Sequence, residues 1–193
     1  DSLTFSVNKN IQLTFEPGQF IQVNSEVNRL MIAQMLDLLP DQSITKIGTA
    51  IDLYCGTGNL SLPLAKRYGT VIGIEGLTDL VNGAKENARM NGIINVEFAV
   101  ADLNQSTGLA NAYRGKQPVD LVLLDPPRNG AAAIMPWVAK TQAKQIIYIS
   151  CHPATMIRDA SVLVESGYKL VAAGVMDMFP HPSHIEAITL FEK

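Results

Sequence analysis

The sequence predicts an α/β protein with a doubly wound, mostly parallel sheet of seven strands. Short apolar strands alternate with helical segments along most of the chain, as in residues 119–124 followed by residues 131–140. Such alternation is typical of a parallel sheet that helices cover on both faces. The last two strands are joined only by residues 177–183, which is too short for a parallel crossover. The last strand is therefore expected to run antiparallel.

The elements are expected in a regular order. Residues 1–40 should form a hairpin within residues 3–15 and a helix over residues 25–39, and these lead into a core at residues 41–193. The core strands are expected at residues 49–54, 70–75, 95–101, 119–124, 145–150, 168–176 and 184–191. The core helices are expected at residues 59–68, 78–91, 131–140 and 155–166.

Length, charge and cysteine content limit the classes of protein to which the chain can belong. The chain has 193 residues, which suits one domain, and a formal net charge of −3, which does not favour strong nucleic-acid binding by these residues alone. No apolar run is long enough to span a bilayer, and no signal-peptide pattern opens the chain. Cys55 and Cys151 are the only cysteines and follow no metal-ligand spacing. We therefore expect reduced thiols, a cytoplasmic location and no metal site.

A glycine-rich loop follows the first core strand and opens a helix. Gly56 and Gly58 let the backbone turn tightly and approach a ligand closely, and the helix start adds backbone donors. Glu75 ends the next strand, where a carboxylate can bind the ribose hydroxyls of a nucleoside cofactor. A dinucleotide-binding loop has a third glycine where this chain has Ser61. The alternative is a strand–helix turn that binds no ligand.

Two further acids follow the third and fourth strands of the predicted core. Asp102 ends the third strand, where it either lies near a nucleobase amino group or caps a loop. Asp125 opens the segment Asp-Pro-Pro-Arg, whose prolines hold the chain extended past the strand tip. The segment resembles Asn/Asp-Pro-Pro-aromatic loops that grip an exocyclic amine in amino-methylating enzymes, but Arg128 replaces the aromatic residue, which argues against an exocyclic amine as the group bound here. The alternative is a proline turn that only ends the strand.

A cysteine and a glutamate are the candidate reactive groups. Cys151 ends the fifth strand next to a proline turn, whereas Cys55 resembles a buried structural thiol. Glu186 lies on the same strand face as apolar residues, and an acid there needs a partner or a task, although a solvated strand-start acid is the alternative. Because parallel strands end at one edge of the sheet, Cys151, Glu186 and the acids of the other strand ends should meet there.

Five segments of the chain together resemble one family, the RNA uracil-5-methyltransferases of the RumA and TrmA type. They cover almost the whole chain in order and imply a class I S-adenosylmethionine-dependent methyltransferase fold, which is Rossmann-like. The segments are Gly18-Gln-Phe-Ile-Gln-Val-Asn24, Asp52-Leu-Tyr-Cys-Gly-Thr-Gly-Asn59, Asp125-Pro-Pro-Arg128, Ser150-Cys-His-Pro153 and Phe179-Pro-His-Pro-Ser-His-Ile-Glu186.

The resemblance implies roles for individual residues. Cys151 would be the nucleophile and Glu186 the base. In the family reaction a thiolate adds to carbon 6 of uracil, carbon 5 then takes the methyl group, and the base removes the carbon-5 proton so that the cysteine can leave. The residues implied around S-adenosylmethionine are Gln22, Tyr54, Asn59, Glu75, Asp102 and Asp125, together with Gly56 and Gly58 of the glycine-rich loop.

The resemblance also implies partners and further domains. The substrate would be RNA, with ribosomal RNA favoured over transfer RNA, and S-adenosylhomocysteine would be the other product. Longer members of the family carry an N-terminal oligonucleotide-binding domain, and some hold an iron–sulfur cluster on four cysteines; both are expected outside these residues. This sequence has His152 where the common family form has Asn, and Asp102 where some members have Asn.

Three other functions remain open at this point. The nearest is a class I methyltransferase with another target, such as a small molecule or an amino group, in which Cys151 would be incidental. A non-catalytic nucleotide-binding module is a second alternative, which the paired presence of Cys151 and Glu186 disfavours. A nicotinamide-dependent oxidoreductase is the third, and Ser61 in place of the third glycine argues against it.

Overall fold

The computed structural model of the chain describes residues 3–8, 10–15, 25–40, 48–113, 118–177 and 185–193. The strands are β1 (Leu3–Asn8), β2 (Ile11–Phe15), β3 (Thr49–Leu53), β4 (Thr70–Glu75), β5 (Val96–Val100), β6 (Leu121–Leu124), β7 (Gln145–Ser150), β8 (Lys169–Asp177) and β9 (Ile185–Glu192). The helices are α1 (Ser25–Asp37), α2 (Ser61–Leu64), α3 (Thr78–Met90), α4 (Ser106–Ala112), α5 (Met135–Lys140) and α6 (Pro153–Glu165).

Seven strands form one sheet in the order β5-β4-β3-β6-β7-β9-β8. The first five of these pair in parallel, while β9 runs antiparallel to both β7 and β8. The predicted doubly wound sheet with an antiparallel last strand is confirmed. The strand order reverses between β3 and β6, and open α/β sheets bind ligands outside the carboxyl ends of the strands at such a point.

The sheet separates two apolar cores. Because neighbouring residues of a strand face opposite sides, Leu121 and Leu123 of β6 pack in one core while Val122 and Leu124 pack in the other. The hairpin and helices α1 to α3 contribute to the first core, and helices α4 to α6 contribute to the second. Burial on both faces explains why these strands have nearly continuous apolar sequences.

The N-terminal hairpin is fastened to helix α3 by two asparagines. The Asn87 side chain accepts a hydrogen bond from the Thr14 backbone N–H (2.8 Å) and donates one to its carbonyl (3.1 Å). Asn91 pairs in the same way with Gln12, at 2.9 and 2.6 Å. Each side-chain amide thus forms with the β2 backbone the pair of hydrogen bonds that a neighbouring strand would otherwise form. The predicted hairpin and helix are confirmed, while the division of the chain at residue 40 stays a prediction.

Three helices differ from the prediction. Helix α2 is one turn long instead of covering residues 59–68, because the chain then tightens into i→i+3 bonds such as Arg67 N–H to Leu64 O (2.8 Å). Helix α5 begins four residues late, since residues 131–134 close a turn. Helix α4 was not predicted, because Leu109 is its only buried residue and leaves no periodic pattern. The other described element ends agree within two residues.

Candidate active site

The strand ends at the carboxyl edge of the sheet lie in register. Leu53 pairs with both Ile74 and Leu124, so the residues that follow β3, β4 and β6 meet at one level. Strand β7 continues further, and its last residue, Ser150, lies opposite Ala187 of the antiparallel strand β9. The continuation of this register brings Cys151 to Glu186. The strands therefore end at one edge as expected from the sequence, while the roles of the side chains there stay a prediction.

Cys151, Glu186 and Asp125 lie close enough to influence one another's ionisation. The pKa of the Cys151 thiol is raised, first by burial and then by the charges of Glu186 and Asp125, whereas the Arg128 guanidinium lowers it. Burial, the Glu186 charge and the Asp52 charge raise the pKa of Asp125 to about 8. The thiol and the two carboxyls therefore lie near one another at this edge of the sheet, with the exposed Arg128 near the thiol.

The Glu186 side chain is buried rather than solvated. Glu186 is only 6% exposed, and burial raises its pKa to about 7. The alternative of a solvated strand-start acid therefore does not fit, and a carboxyl with this pKa can accept a proton near neutral pH.

The two cysteines differ as the sequence suggested. Cys55 is buried in the first core and its thiol pKa is raised well above the usual value, mainly by burial. Cys151 is partly exposed at the edge of the sheet. Ser150 shapes the turn around it, since its hydroxyl oxygen accepts the His152 backbone N–H (3.0 Å). Cys151 is thus the thiol that a ligand can reach.

The glycine-rich loop turns through left-handed backbone conformations. Tyr54, Gly56 and Gly58 have φ angles of 64°, 54° and 94°. Glycine adopts this region freely, whereas Tyr54 does so at a cost, and such strain is found mostly at functional sites. A Cβ atom at Gly58 would lie 3.4 Å from the Phe98 ring, so glycine also permits close packing there.

The Glu75 carboxylate binds backbone donors on both sides of it. One oxygen accepts the Gly56 N–H (3.2 Å), and the other accepts the N–H groups of Gly76 (2.6 Å) and Leu77 (3.2 Å). The acid expected at the ribose therefore also ties the glycine-rich loop to the end of β4.

Two residues expected at the cofactor have partners within the protein. Asn59 forms a reciprocal amide pair with buried Asn28 of α1, with both bonds at 2.9 Å. Asp102 is exposed and accepts hydrogen bonds from the Asn104 backbone (2.9 Å) and the Gln105 side chain (3.0 Å). Asp102 therefore acts as a loop cap in this structure. Gln22 lies outside the described residues, as do the segments 18–24 and 179–184 of the quoted motifs.

Asp52 is a site residue that the sequence analysis did not select. Its carboxyl is fully buried, and one oxygen accepts the Ser61 hydroxyl (2.5 Å) while the other has no partner among the described residues. Burial raises the pKa of Asp52 to about 7, and the charge of Glu75 contributes. The sequence signal was an acid within an apolar strand, with a serine where a dinucleotide-binding loop has glycine.

The sheet order, the left-handed glycine-rich loop and the acids at the strand ends define a class I methyltransferase. A family model described as tRNA (Uracil-5-)-methyltransferase matches residues 3–193. Two curated relatives are both named 23S rRNA (uracil(1939)-C(5))-methyltransferase RlmD. The protein of Shewanella sp. (strain MR-4) is 47% identical over 94% of this chain and 39% of its own, and that of Hahella chejuensis is 47% identical over 95% and 41%. The chain belongs to the RNA uracil-5-methyltransferase family.

A solved structure of a related enzyme has the same fold. The tRNA (uracil-54, C5)-methyltransferase of Pyrococcus abyssi, in complex with S-adenosyl-L-homocysteine, superposes with a TM-score of 0.81 at 25% identity, over 98% of this chain and 44% of that one. The present chain thus spans about two fifths of the length of the relatives it matches. None of the helices in the described part of the chain is long and apolar enough to cross a membrane.

Proposed function

We propose that the chain is the methyl-transferring part of an enzyme that methylates carbon 5 of a uridine in RNA, with S-adenosylmethionine as the methyl donor. The observation that carries the proposal is the proximity of Cys151 to Glu186 and Asp125, whose charges both raise the pKa of the Cys151 thiol, while the charge of Glu186 also raises that of Asp125. Family membership supports the same reaction. The cytoplasmic location expected from the cysteines stays a prediction.

The charge of the edge suits a cationic cofactor. Acids lie around the glycine-rich loop, and Arg128 is the one cation of the described residues whose charge lowers the pKa of the Cys151 thiol. S-adenosylmethionine carries a sulfonium and an ammonium cation, which these carboxyls would stabilise. A dinucleotide would instead bring an anionic pyrophosphate, and the Gly56 N–H that could bind it already donates to Glu75. The edge therefore favours S-adenosylmethionine over a nicotinamide cofactor.

Several residues at the carboxyl edge of the sheet lie where they could hold the cofactor. Glu75 lies at the end of β4 for the ribose hydroxyls, and Tyr54 and Asp125 lie at the same level of the neighbouring strands. Asp52, beneath the loop, has a carboxyl oxygen that no described residue donates to, and this oxygen would strengthen the negative potential of the site. When bound, the cofactor supplies an electrophilic methyl group. Gln22, Asn59 and Asp102 stay candidates, of which Asn59 would have to exchange its present partner.

Cys151 and Glu186 divide the chemistry between them. The Cys151 thiolate would add to carbon 6 of the uracil ring, which makes carbon 5 nucleophilic toward the methyl group. Glu186 would then take the proton from carbon 5, so that the bond between carbon 6 and sulfur breaks and the thiolate is restored. The buried position of Glu186 suits this role, since a pKa of about 7 lets it both accept and release a proton near neutrality.

Ribosomal RNA is the favoured substrate. The curated relatives named for 23S rRNA are 47% identical to this chain, whereas the solved tRNA enzyme is 25% identical. A uridine in 23S rRNA is therefore proposed first and a tRNA uridine second. Transcripts of both RNAs, offered together with labelled cofactor and mapped for 5-methyluridine by mass spectrometry, decide between them.

The experiment for the mechanism compares variants at the two reactive residues. Cys151→Ala should abolish methylation and leave no covalent species, because carbon 5 is never activated. Glu186→Gln keeps the shape of the side chain but loses the base, at a cost of about 10²–10⁴ in rate. The expected result is a denaturation-resistant protein–RNA adduct that carries label from the cofactor methyl group.

The matched controls are the double variant and the second cysteine. The adduct should be absent when Cys151→Ala is combined with Glu186→Gln, and it should form normally when Cys55→Ala is combined with Glu186→Gln, because Cys55 is buried away from solvent. Methylation by Cys151→Ala would contradict the mechanism and indicate a nitrogen or oxygen target. Normal turnover by Glu186→Gln would remove Glu186 from the reaction.

A further inference from the structure

Helix α6 carries a buried carboxylate that the proposed chemistry does not use. Asp159 is 1% exposed. One carboxylate oxygen accepts the Tyr148 hydroxyl (2.6 Å) and the Ala131 backbone N–H (2.6 Å). The other accepts the Nε (2.9 Å) and Nη2 (2.7 Å) groups of Arg158. A buried charge is costly unless such partners satisfy it, so a carboxylate with this complete a set of partners marks a position where geometry is held.

The partners of this carboxylate belong to the loop that follows β6. Arg158 also donates to the Asn129 carbonyl (2.9 Å), and Ala131 follows that loop directly. At Gly130, where φ is 77°, a Cβ atom would lie 2.5 Å from the Asp159 carboxylate and 2.6 Å from Arg158. Glycine is therefore required for the loop to approach the helix this closely. The Asp159–Arg158 pair thus clamps the far end of the Asp125–Gly130 loop.

The same helix begins beside the reactive cysteine. Pro153 opens α6 two residues after Cys151, and the Thr155 hydroxyl lies 2.9 Å from the His152 carbonyl and 3.2 Å from the Arg128 carbonyl. Helix α6 therefore joins two strand ends, that of β7 with the thiol and that of β6 with Asp125 and Arg128.

We infer that Asp159, together with Arg158, is a positioning residue that holds the Asp125–Gly130 loop so that Arg128 stays beside the Cys151 thiol. The inference rests on the proposed function only for its effect on methyl transfer. The position of Arg128 relative to Cys151 is a property of the protein alone. It can be measured without RNA or cofactor.

The first measurement is the pH dependence of Cys151 alkylation by iodoacetamide, with mass spectrometry to separate it from Cys55. Glu186, Asp125 and Arg128 are the described charged groups that act on this thiol. In Asp159→Asn, the mere loss of a negative charge would move the alkylation profile to lower pH. Release of Arg128 from its place moves it to higher pH, because Arg128 is the group that lowers the thiol pKa. We expect the shift to higher pH, and a shift to lower pH or none overturns the inference.

A matched control separates positioning from stability. Tyr148→Phe removes a hydrogen bond of the same length from the same carboxylate but leaves both contacts to the loop. Its melting temperature should fall, with the alkylation profile unchanged. If the profile moves as far in Tyr148→Phe as in Asp159→Asn, the carboxylate only stabilises the fold and the inference fails.

A second variant changes the loop itself instead of the helix that holds it. Gly130→Ala places a methyl group against the Asp159 carboxylate and should shift the alkylation profile in the same direction. It also covers the case in which Asp159→Asn does not fold. An unchanged profile in a folded Gly130→Ala protein contradicts the clamp.

Methyl transfer gives the functional consequence. Because misplacement of reacting groups by about 1 Å can cost roughly 100-fold in rate, kcat should fall by about 10- to 100-fold in Asp159→Asn, with the KM for the cofactor unchanged. Arg158→Lys keeps the charge but not the paired geometry. Its kcat should lie between that of the unsubstituted protein and that of Asp159→Asn. A shifted alkylation profile with kcat unchanged overturns the link to catalysis. Failure of the unsubstituted protein to methylate RNA would count against the proposed function and leave the alkylation result standing.

Discussion

Single carboxyl groups at the strand ends have surroundings that oppose their ionisation. Asp52, Asp125 and Glu186 have pKa values raised to about 7, 8 and 7, with burial as the first cause in each case. A solvent-exposed carboxyl loses its proton near pH 4. These groups therefore titrate where a proton acceptor is most effective at physiological pH, and clustered shifts of this size are typical of functional sites.

The rate of product release from Cys151 should rise with pH through about 7. Glu186 accepts a proton only when ionised, and its pKa of about 7 sets the midpoint of that rise. Single-turnover measurements from about pH 5.5 to 8.5 should show this limb, and Glu186→Gln should lack it. A limb that persists in Glu186→Gln would assign the proton transfer to another group, with Asp125 as the first candidate.

Asp52 and Ser61 form a pair that the glycine-rich loop covers. The Ser61 hydroxyl is the side-chain donor to Asp52, and it lowers a pKa that burial has raised. The presence of serine at the third-glycine position thus has a physical reason, since glycine would leave the buried acid without this donor.

Ser61→Ala should lower the free energy of unfolding by about 1–3 kcal/mol, because it removes the hydroxyl donor from a buried carboxyl. The pKa of Asp52 should rise further, so the loss should be greater at pH 9, where the folded protein must hold the ionised acid, than at pH 6. Urea denaturation at the two pH values measures both. Ser161→Ala, which removes an exposed helix hydroxyl that donates to the Arg158 carbonyl, is the control and should change stability little.

Among the elements, the N-terminal hairpin has a direct connection to the glycine-rich loop. Asn87 holds Thr14 of β2 with two bonds and also donates to the Thr57 carbonyl (3.0 Å). The Asn28–Asn59 pair connects helix α1 to the end of the same loop. The hairpin and helix α1 therefore support the glycine-rich loop as well as preceding the sheet.

Asn87→Ala and Asn91→Ala should separate these two roles. Both remove a side-chain pair to β2, so both should lower the free energy of unfolding by about 1–3 kcal/mol. Only Asn87 reaches the glycine-rich loop, so only Asn87→Ala should also weaken S-adenosylmethionine binding in calorimetric titrations. Equal losses of affinity in the two variants would mean that the hairpin acts through general stability alone.

The sequence predicted the elements that have a strong apolar pattern. The limits of β4 and β7 agree fully with the prediction, because both are short apolar runs bounded by loop residues. Residue pairs distant in the chain, such as Asn28 with Asn59 and Asp52 with Ser61, left no periodic signal. Asp102 could not be assigned for a related reason, since its local hydrogen bonds depend on a turn that the sequence does not specify.

For the whole molecule, net charge limits what these residues bind alone. With a formal charge of −3, the 193-residue chain should bind RNA with a dissociation constant in or above the non-specific range of about 10⁻⁴–10⁻⁶ M. Fluorescence anisotropy with a labelled 23S rRNA segment, repeated at several salt concentrations, tests this. Tight and strongly salt-dependent binding would contradict the expectation that most RNA contacts lie outside the chain. Lys85→Glu, an exposed change on α3, is a suitable control for residual charge effects.

Proton uptake on folding should make the whole molecule less stable as pH rises. Between about pH 4 and the raised pKa values of Asp52, Asp125 and Glu186, the folded chain binds more protons than the unfolded chain. The free energy of unfolding then decreases with pH, by on the order of 1 kcal/mol per pH unit for each group that stays protonated only in the folded state. Urea denaturation from pH 5 to pH 8.5 measures this slope.

S-adenosylmethionine should reverse part of this effect. Its positive charges favour the ionised carboxyls, so binding should release protons and the affinity should increase from pH 6 to pH 8. Calorimetry in two buffers of different ionisation enthalpy counts the released protons, and Asp125→Asn should reduce the count. S-adenosylhomocysteine lacks the sulfonium charge and should release fewer protons than the methyl donor does. Equal proton release by the two ligands would mean that the acids do not sense the sulfonium, and the electrostatic basis of cofactor selection would be wrong.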